Sequence, residues 1–376
     1  MRKMFQYRIY PTKSQAKALE QVLEECRWLY NETLAYRTRA WEQEQRAVSW
    51  YESKARIPLL KQARSTLKNV HSQVLQNVTE RVELAMQAFF RRCKAGETPG
   101  YPRFKGKGRY ESFTFTQSGF SITHDERVCL SKIGSIKMVY HRPLRGKIKT
   151  LTVRKSRTGK WYAAFSVEWE PQRLPDRAEQ VGIDVGLKTF ATLSNAEAIE
   201  NPRFFRQEEK ALAKVQRKHS KLAKGTPQRQ KHRKVIARVH ERIAFRRANF
   251  THQESRQVVD RFGVICVEDL HVNRMTHNHC LAKSIHDASW SEFFSKLSCK
   301  AEEAGRKYVA VNPAYTSQDC SRCHHRQVMP LSERTYHCPC CLLALDRDLN
   351  AALNIRAVGL HSLGLSVEAP VFRRGE

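Results

Sequence analysis

The runs VGIDVGLK (181–188), VICVED (264–269) and YVAVNP (308–313) are short, apolar and separated by long helix-like stretches. Segments of this length and composition read as buried strands, and strands alternating with helices build an α/β sheet. Asp184 lies inside the first run and Glu268 near the end of the second. A carboxylate in a stretch otherwise suited to burial costs free energy unless it is paired or bound to a cation. Such sheets also tend to carry functional groups at strand ends. Gly186 then permits a tight turn or the close approach of a ligand.

A third acidic candidate comes from DRDLNAALNI (346–355), which reads as the start of a helix. Residues two apart on a helix point about 200° apart, so Asp346 and Asp348 cannot both face one site. Asp346 suits the N-cap, whereas Asp348 heads the stripe Ala351, Ala352, Ile355, whose small residues allow close approach to a sheet. Asp348 is therefore assigned to the site. Carboxylates converging to about 4 Å repel by about 4 kcal/mol per pair at an effective dielectric of about 20. Asp184, Glu268 and Asp348 together thus imply divalent cations, two magnesium ions with a substrate phosphate being the natural complement. The reaction this predicts is two-metal hydrolysis of a phosphodiester.

Five of the 11 cysteines crowd into residues 320–341. Cys320-Ser321-Arg322-Cys323 and Cys338-Pro339-Cys340-Cys341 are two C-x-x-C pairs, fourteen residues apart, that offer four thiolates to one tetrahedral zinc. Cys340 is too close to Cys338 for the same knuckle, and His324, His325 and His337 read as neighbours rather than ligands. Four thiolates leave no open position, so the zinc is expected to be structural. The other cysteines are scattered, which argues for a reducing cytosol rather than a disulfide framework.

Towards the N-terminus, residues 3–10 alternate as a strand does, and Thr12 followed by Gln15 is a capping-box pattern that starts a helix. Leu19, Val22, Leu23, Cys26, Leu29, Tyr30 and Leu34 then follow helical spacing, and Val74, Val78, Ala85 and Phe89 repeat it, so residues 13–94 read as a small helical bundle. Residues 112–170 read as antiparallel strands closing a small barrel with the first strand. Between bundle and strands, 96–110 is turn-rich, basic and aromatic. Tyr7, Tyr101, Arg103, Phe104 and Lys105 are the candidate nucleic-acid contacts.

Charge points to the partner. Of 376 residues, 67 are Lys or Arg and 37 Asp or Glu, a net charge of +30, and that self-repulsion calls for an anionic partner, nucleic acid first. Residues 205–260, broken by Gly225-Thr226-Pro227, read as two antiparallel basic helices suited to a nucleic-acid backbone. No apolar run reaches the roughly 18–20 residues of a membrane span, and no signal-peptide pattern opens the chain, so a cytoplasmic location without membrane partners is expected. The stretch 359–376 reads as a loosely held tail.

GIDVGLKTFATLS, VICVEDLHV, VNPAYTSQDCSRC, CPCC and DRDLNAALNI, in this order, closely resemble the TnpB proteins of bacterial insertion sequences. The earlier YRIYPTKSQ, LYNETL and YPRFKGKGRYESF match too, so the resemblance covers nearly the whole chain. It implies an α+β multi-domain protein: a wedge-like β-barrel (1–12 and 95–172) with an inserted helical recognition domain (13–94), then a RuvC-like nuclease domain of RNase H fold (181–312 and 343–358) with an inserted zinc ribbon (313–342). It implies Asp184, Glu268 and Asp348 as the magnesium-binding nuclease triad, and Cys320, Cys323, Cys338 and Cys341 as zinc ligands. It further implies a guide RNA from the element's end, a double-stranded DNA target beside a short motif, one protein per RNA, nucleoid association, and cutting that helps retain the transposon. The alternative is a nuclease-inactive, RNA-guided DNA-binding regulator. Members of this family often carry glycine after the second cysteine of each knuckle, where this chain has His324 and Leu342; such positions often need a left-handed backbone.

Overall fold

Pro11 follows strand β1 (Arg2–Tyr10), and Thr12 starts helix α1 (Lys13–Glu44) through a reciprocal cap. Gln15 N donates to the Thr12 hydroxyl at 3.3 Å, and Thr12 N donates to Gln15 Oε1 at 3.0 Å. Helices α2 (Trp50–Ala55) and α3 (Ile57–Ala63) and a 3-10 turn (Ser65–Asn69) lead to α4 (Ser72–Lys94), which packs along α1. Of the apolar stripes expected for the two long helices, Leu19, Val22, Leu23, Cys26, Leu29, Tyr30 and Leu34 of α1 and Val74 and Val78 of α4 meet in one core, where Val82 joins them, whereas Ala85 and Phe89 are only half-buried. The computed structural model describes residues 1–330 and 333–365, and these helices belong to the first of two units, Met1–Glu170 and Pro171–Glu376.

Strands β2 (Ser112–Phe115), β3 (Phe120–Ile122), β4 (Arg127–Leu130), β5 (Gly134–Met138), β6 (Lys147–Lys155) and β7 (Trp161–Glu168) complete the first unit. With β1 they form an antiparallel sheet in the order β2-β6-β7-β1-β5-β4-β3. The expected closed barrel is a nearly closed sheet. Phe120 on edge strand β3 reaches Phe165 on β7, 6.3 Å between ring centroids, but no ladder joins β3 to β2 among the described residues. The turn between those edges gives its amides elsewhere: Gln117 N and Ser118 N donate to Gln73 Oε1 of α4 at 2.9 and 2.8 Å. Alternation along β1 turns Phe5, Tyr7 and Ile9 inward. Tyr7 is thus 0% exposed and donates its hydroxyl to Arg142 O at 2.9 Å, a core residue and no nucleic-acid contact.

The second unit begins its sheet with β8 (Gln180–Val185), β9 (Thr189–Leu193) and β10 (Ala198–Glu200). The basic stretch forms helices α5 (Phe204–Ser220) and α6 (Pro227–Arg261), packed together through Leu212, Val239 and Ile243. Strand β11 (Val264–Glu268), helices α7 (Val272–Met275), α8 (His279–Ala288) and α9 (Trp290–Ala304) and strand β12 (Lys307–Val311) follow. A hairpin of β13 (Thr335–His337) and β14 (Ala344–Asp346) precedes the last helix, α10 (Arg347–Ser362).

The main sheet of this unit runs β10-β9-β8-β11-β12. The three anticipated strands, β8, β11 and β12, are its parallel core, and the antiparallel β9 and β10 extend it at the β8 edge. The parallel strands read as continuous apolar runs because both faces are covered. On β11, Ile265 and Val267 join the core of α6 and α9, while Val264 and Cys266 join that of α10.

Helix α10 lies unusually close to the sheet. A Cβ at Gly182 of β8 would fall 2.0 Å from Ala352 O and 2.6 Å from Arg356 N, and one at Gly359 of α10 would fall 2.3 Å from Cys266 Sγ. Because α10 runs on to Ser362 with Gly359 and Leu360 buried, the tail expected from 359 starts later, and its residues 366–376 lie outside the described ones. Among the described residues no helix is long and apolar enough to cross a membrane.

Gly182→Ala forces α10 off β8 and is expected to lower unfolding stability by about 1–3 kcal/mol, the usual range for overpacking, measured by urea denaturation. An unchanged midpoint would show that the contact is slack.

Candidate active site and metal centre

The parallel register of β11 on β8, with Val267 beside Ile183, carries Glu268 alongside Asp184. Helix α10 supplies the third carboxylate from its first turn. Asp346 is the N-cap, accepting from Asp348 N at 2.9 Å and Leu349 N at 3.1 Å, which leaves Asp348 half-buried and directed elsewhere. Asp346 is thus the cap that the sequence led one to expect.

Electrostatics register the convergence. Burial raises Asp184 well above the usual carboxylate range, and the charges of Glu268 and Asp348 push it further, against a downward pull from Arg347. Burial also raises Glu268, opposed by the Thr316 hydroxyl, which donates to Glu268 Oε1 at 2.7 Å. Arg334 Nη1 lies 3.9 Å from Asp348 Oδ2. Thr316, Arg334 and Arg347 were not singled out from the sequence; Arg347 could have been, since it stands between the two aspartates of the helix start.

The cysteines are gathered more tightly. The sulfurs of Cys320, Cys323, Cys338 and Cys341 all lie within 4.8 Å of one another, with Cys320 and Cys341 3.6 Å apart and Cys323 and Cys338 3.5 Å apart. Disulfide sulfurs lie about 2.05 Å apart, so these are free thiols. They are the one such set of potential ligands among the described residues. The three carboxylates do not form so closed a cage among the described residues.

Both cysteine knuckles have the same backbone. Cys320 O accepts from His324 N and Cys338 O from Leu342 N, each at 3.0 Å, while Cys320 N donates to His325 O and Cys338 N to Leu343 O at 3.0 and 2.9 Å. The residues closing them, His324 (φ +60°) and Leu342 (φ +58°), occupy the left-handed region that the missing glycines would suit. Beneath them Tyr336 is fully buried, its hydroxyl near Gln318 O and His325 O at 3.1 and 3.2 Å. A core of Cys320, Tyr336 and Cys338 is too small to hold a fold alone, and four thiols in this arrangement fit a structural zinc. Cys340 is exposed.

Of the candidate nucleic-acid contacts, Tyr101, Arg103 and Phe104 are exposed and Lys105 is half-buried. Tyr101 stands edge-on to Phe89, 5.3 Å between centroids, and Phe104 is 61% exposed. Lys105 N donates to Asn31 Oδ1 at 2.7 Å and Lys105 O accepts from Asn31 Nδ2 and Arg27 Nη1 at 3.0 Å, which anchors this loop on α1.

Residues 164–279 match a family described as probable transposase, 290–355 a Cas12f1-like TNB domain, and 1–46 a helix-turn-helix domain, although in this last range the structure has a strand and one long helix. A Streptomyces pristinaespiralis protein named "Putative RNA-guided DNA endonuclease" is 35% identical over 368 residues, covering 96% of this chain and 90% of its own. InsQ of Escherichia coli K12, which carries the same description, is 30% identical over 374 residues, 94% of this chain and 92% of its own. Among solved structures, the mini-RNA-guided endonuclease CRISPR-Cas_phi3 aligns over 98% of this chain and 94% of that one with a TM-score of 0.51 at 9% identity, a likeness of fold.

With the folded Asp184 and Glu268 raised above their unfolded values, the folded chain holds protons that the unfolded chain releases from about pH 4 upward. Stability in magnesium-free buffer should therefore fall as pH rises through that window, and Asp184→Asn should flatten the fall; thermal melts from about pH 5 to about pH 8 check this. His324→Gly and Leu342→Gly should each relieve about 1 kcal/mol of backbone strain and slow zinc loss to a chelating dye.

Proposed function

The chain belongs to the TnpB family, and we propose that it is an RNA-guided DNA endonuclease of an insertion sequence, cutting double-stranded DNA beside a short motif and so helping the element persist. The observation that carries the nuclease reading is Asp184, a carboxylate inside a buried strand whose neighbours include two further carboxylates, Glu268 and Asp348. The order of parallel and antiparallel strands in the second unit supports a RuvC-like domain of RNase H fold, with the cysteine hairpin as an inserted zinc ribbon.

In this reading Asp184, Glu268 and Asp348 hold two magnesium ions at the ends of β8 and β11 and the start of α10. When bound, the ions supply a nucleophilic water and neutralise the charge that develops on the phosphate. Burial opposes the charge of Asp184 and Glu268, and like charge opposes that of Asp184 further; bound cations would offset both. Arg334 and Arg347 bring positive charge to a site that receives a phosphodiester. Cys320, Cys323, Cys338 and Cys341 hold zinc and keep the hairpin folded. The basic helices α5 and α6, the exposed Tyr101, Arg103 and Phe104 and the half-buried Lys105 grip nucleic-acid backbone and bases, while base pairing with the guide reads sequence. One chain per guide RNA, working in the cytoplasm on nucleoid DNA, completes the proposal.

Sequencing the RNA that co-purifies from cells carrying the native flanking DNA should return one abundant species with a fixed structured part and a variable 3′ end. With that RNA, Asp184→Ala, Glu268→Ala and Asp348→Ala are each expected to abolish magnesium-dependent cutting while leaving RNA and target binding near wild type. Target binding without cutting by the wild-type chain would instead select a guided DNA-binding regulator.

A further inference from the structure

The segment that enters the cysteine ribbon is bonded to Glu268 at its start and to helix α10 along its length. Thr316, four residues before Cys320, donates its hydroxyl to Glu268 Oε1 at 2.7 Å, and its carbonyl accepts from Asn354 Nδ2 of α10 at 2.8 Å. Asn354 Nδ2 also donates to Asp319 O at 2.7 Å. One turn earlier on the same face, Asn350 Nδ2 donates to Asp319 O at 2.8 Å, and Asn350 Oδ1 accepts from Ser321 N, inside the first knuckle, at 2.9 Å. Thr316, Asn350 and Asn354 are all buried, at 6%, 0% and 6% exposure.

Buried side-chain amides are costly unless satisfied, and apolar residues could have packed α10 here. What the two asparagines add is register: they accept one placement of 316–321 against the helix that carries Asp348. Zinc holds Cys320 and Cys323, and so fixes the backbone these amides read. That backbone in turn aims the Thr316 hydroxyl at Glu268.

We propose that the cysteine ribbon and the acidic centre are positively coupled through Thr316, Asn350 and Asn354, so that zinc in the ribbon and divalent cations at the carboxylates each tighten the other's binding. The proposal rests on the reading of Asp184, Glu268 and Asp348 as a cation site. Thr316 is a positioning residue, acting on the reaction through Glu268. Linkage makes the effect reciprocal, so it can be read at the ribbon without any cleavage.

Two measurements on the zinc-loaded full chain test this. Electron paramagnetic resonance titration counts manganese bound in an Asp184-dependent way, and release of zinc to a chromogenic chelator is followed to equilibrium with and without saturating magnesium at matched ionic strength. Magnesium is expected to raise the zinc affinity about fivefold or more in the wild type. Thr316→Val should keep one zinc per chain yet weaken manganese binding and lose the magnesium effect; Thr316→Ser, which keeps the hydroxyl, should restore both. Asn354→Ala should likewise uncouple the two sites. A chain that binds no manganese overturns the cation-site reading itself. Asp184-dependent manganese binding with zinc release indifferent to magnesium overturns the coupling alone, as does a magnesium effect that survives in Thr316→Val.

Discussion

The contact of α10 with β8 governs the second unit. A helix can lie this near a strand only where the strand has no side chain in the way, and Gly182 supplies that absence, with Ala351 and Ala352 as the small residues on the helix. Gly359 does the same further along, against Cys266. From this one approach follow the delivery of Asp348 to the neighbourhood of Asp184, the burial of Asn350 and Asn354, and the placement of the ribbon that leads into the helix. The helix carries Asp348 in its first turn and buried packing along its length.

The acidic centre works against the fold. Asp184 is half-buried beside like charges and is pushed towards its neutral form, and Glu268 is half-buried as well. Such a cluster persists because apolar packing on both faces of β8 and β11 over-determines the strands that carry it. Local conflict of this kind, in a sheet otherwise consistent from pattern to packing, is where function is expected to reside. The ribbon holds a smaller conflict of the same type: His324 and Leu342 in left-handed conformations, held by paired knuckle hydrogen bonds and by the thiols they frame.

The sequence was most informative where chemistry is local. Two C-x-x-C pairs place their thiolates by backbone geometry alone, and the structure brings all four sulfurs together. Two aspartates at a helix start must face apart, and Asp346 caps while Asp348 does not. Thr12 and Gln15 form their reciprocal cap for the same reason, since all the partners lie within one turn. Tyr7 fails differently: alternation groups it with Phe5 and Ile9 but does not say whether that face meets core or solvent. Strand β10 escapes the sequence because three residues at a sheet edge, two of them exposed, leave no apolar run to read.

What the sequence determined by itself is the set of parts: buried strands bearing acids, a capped helix bearing a third, a thiol quartet, and a basic surface that calls for an anionic partner. Each is written in spacing over a few residues, within reach of backbone geometry. Only the tertiary structure decided which parts meet. That Thr316 bonds Glu268, that Asn350 and Asn354 read the ribbon's backbone, and that the first sheet stops short of closure depend on contacts between residues far apart in the chain. Such contacts are set by how whole elements pack, and no local pattern encodes them.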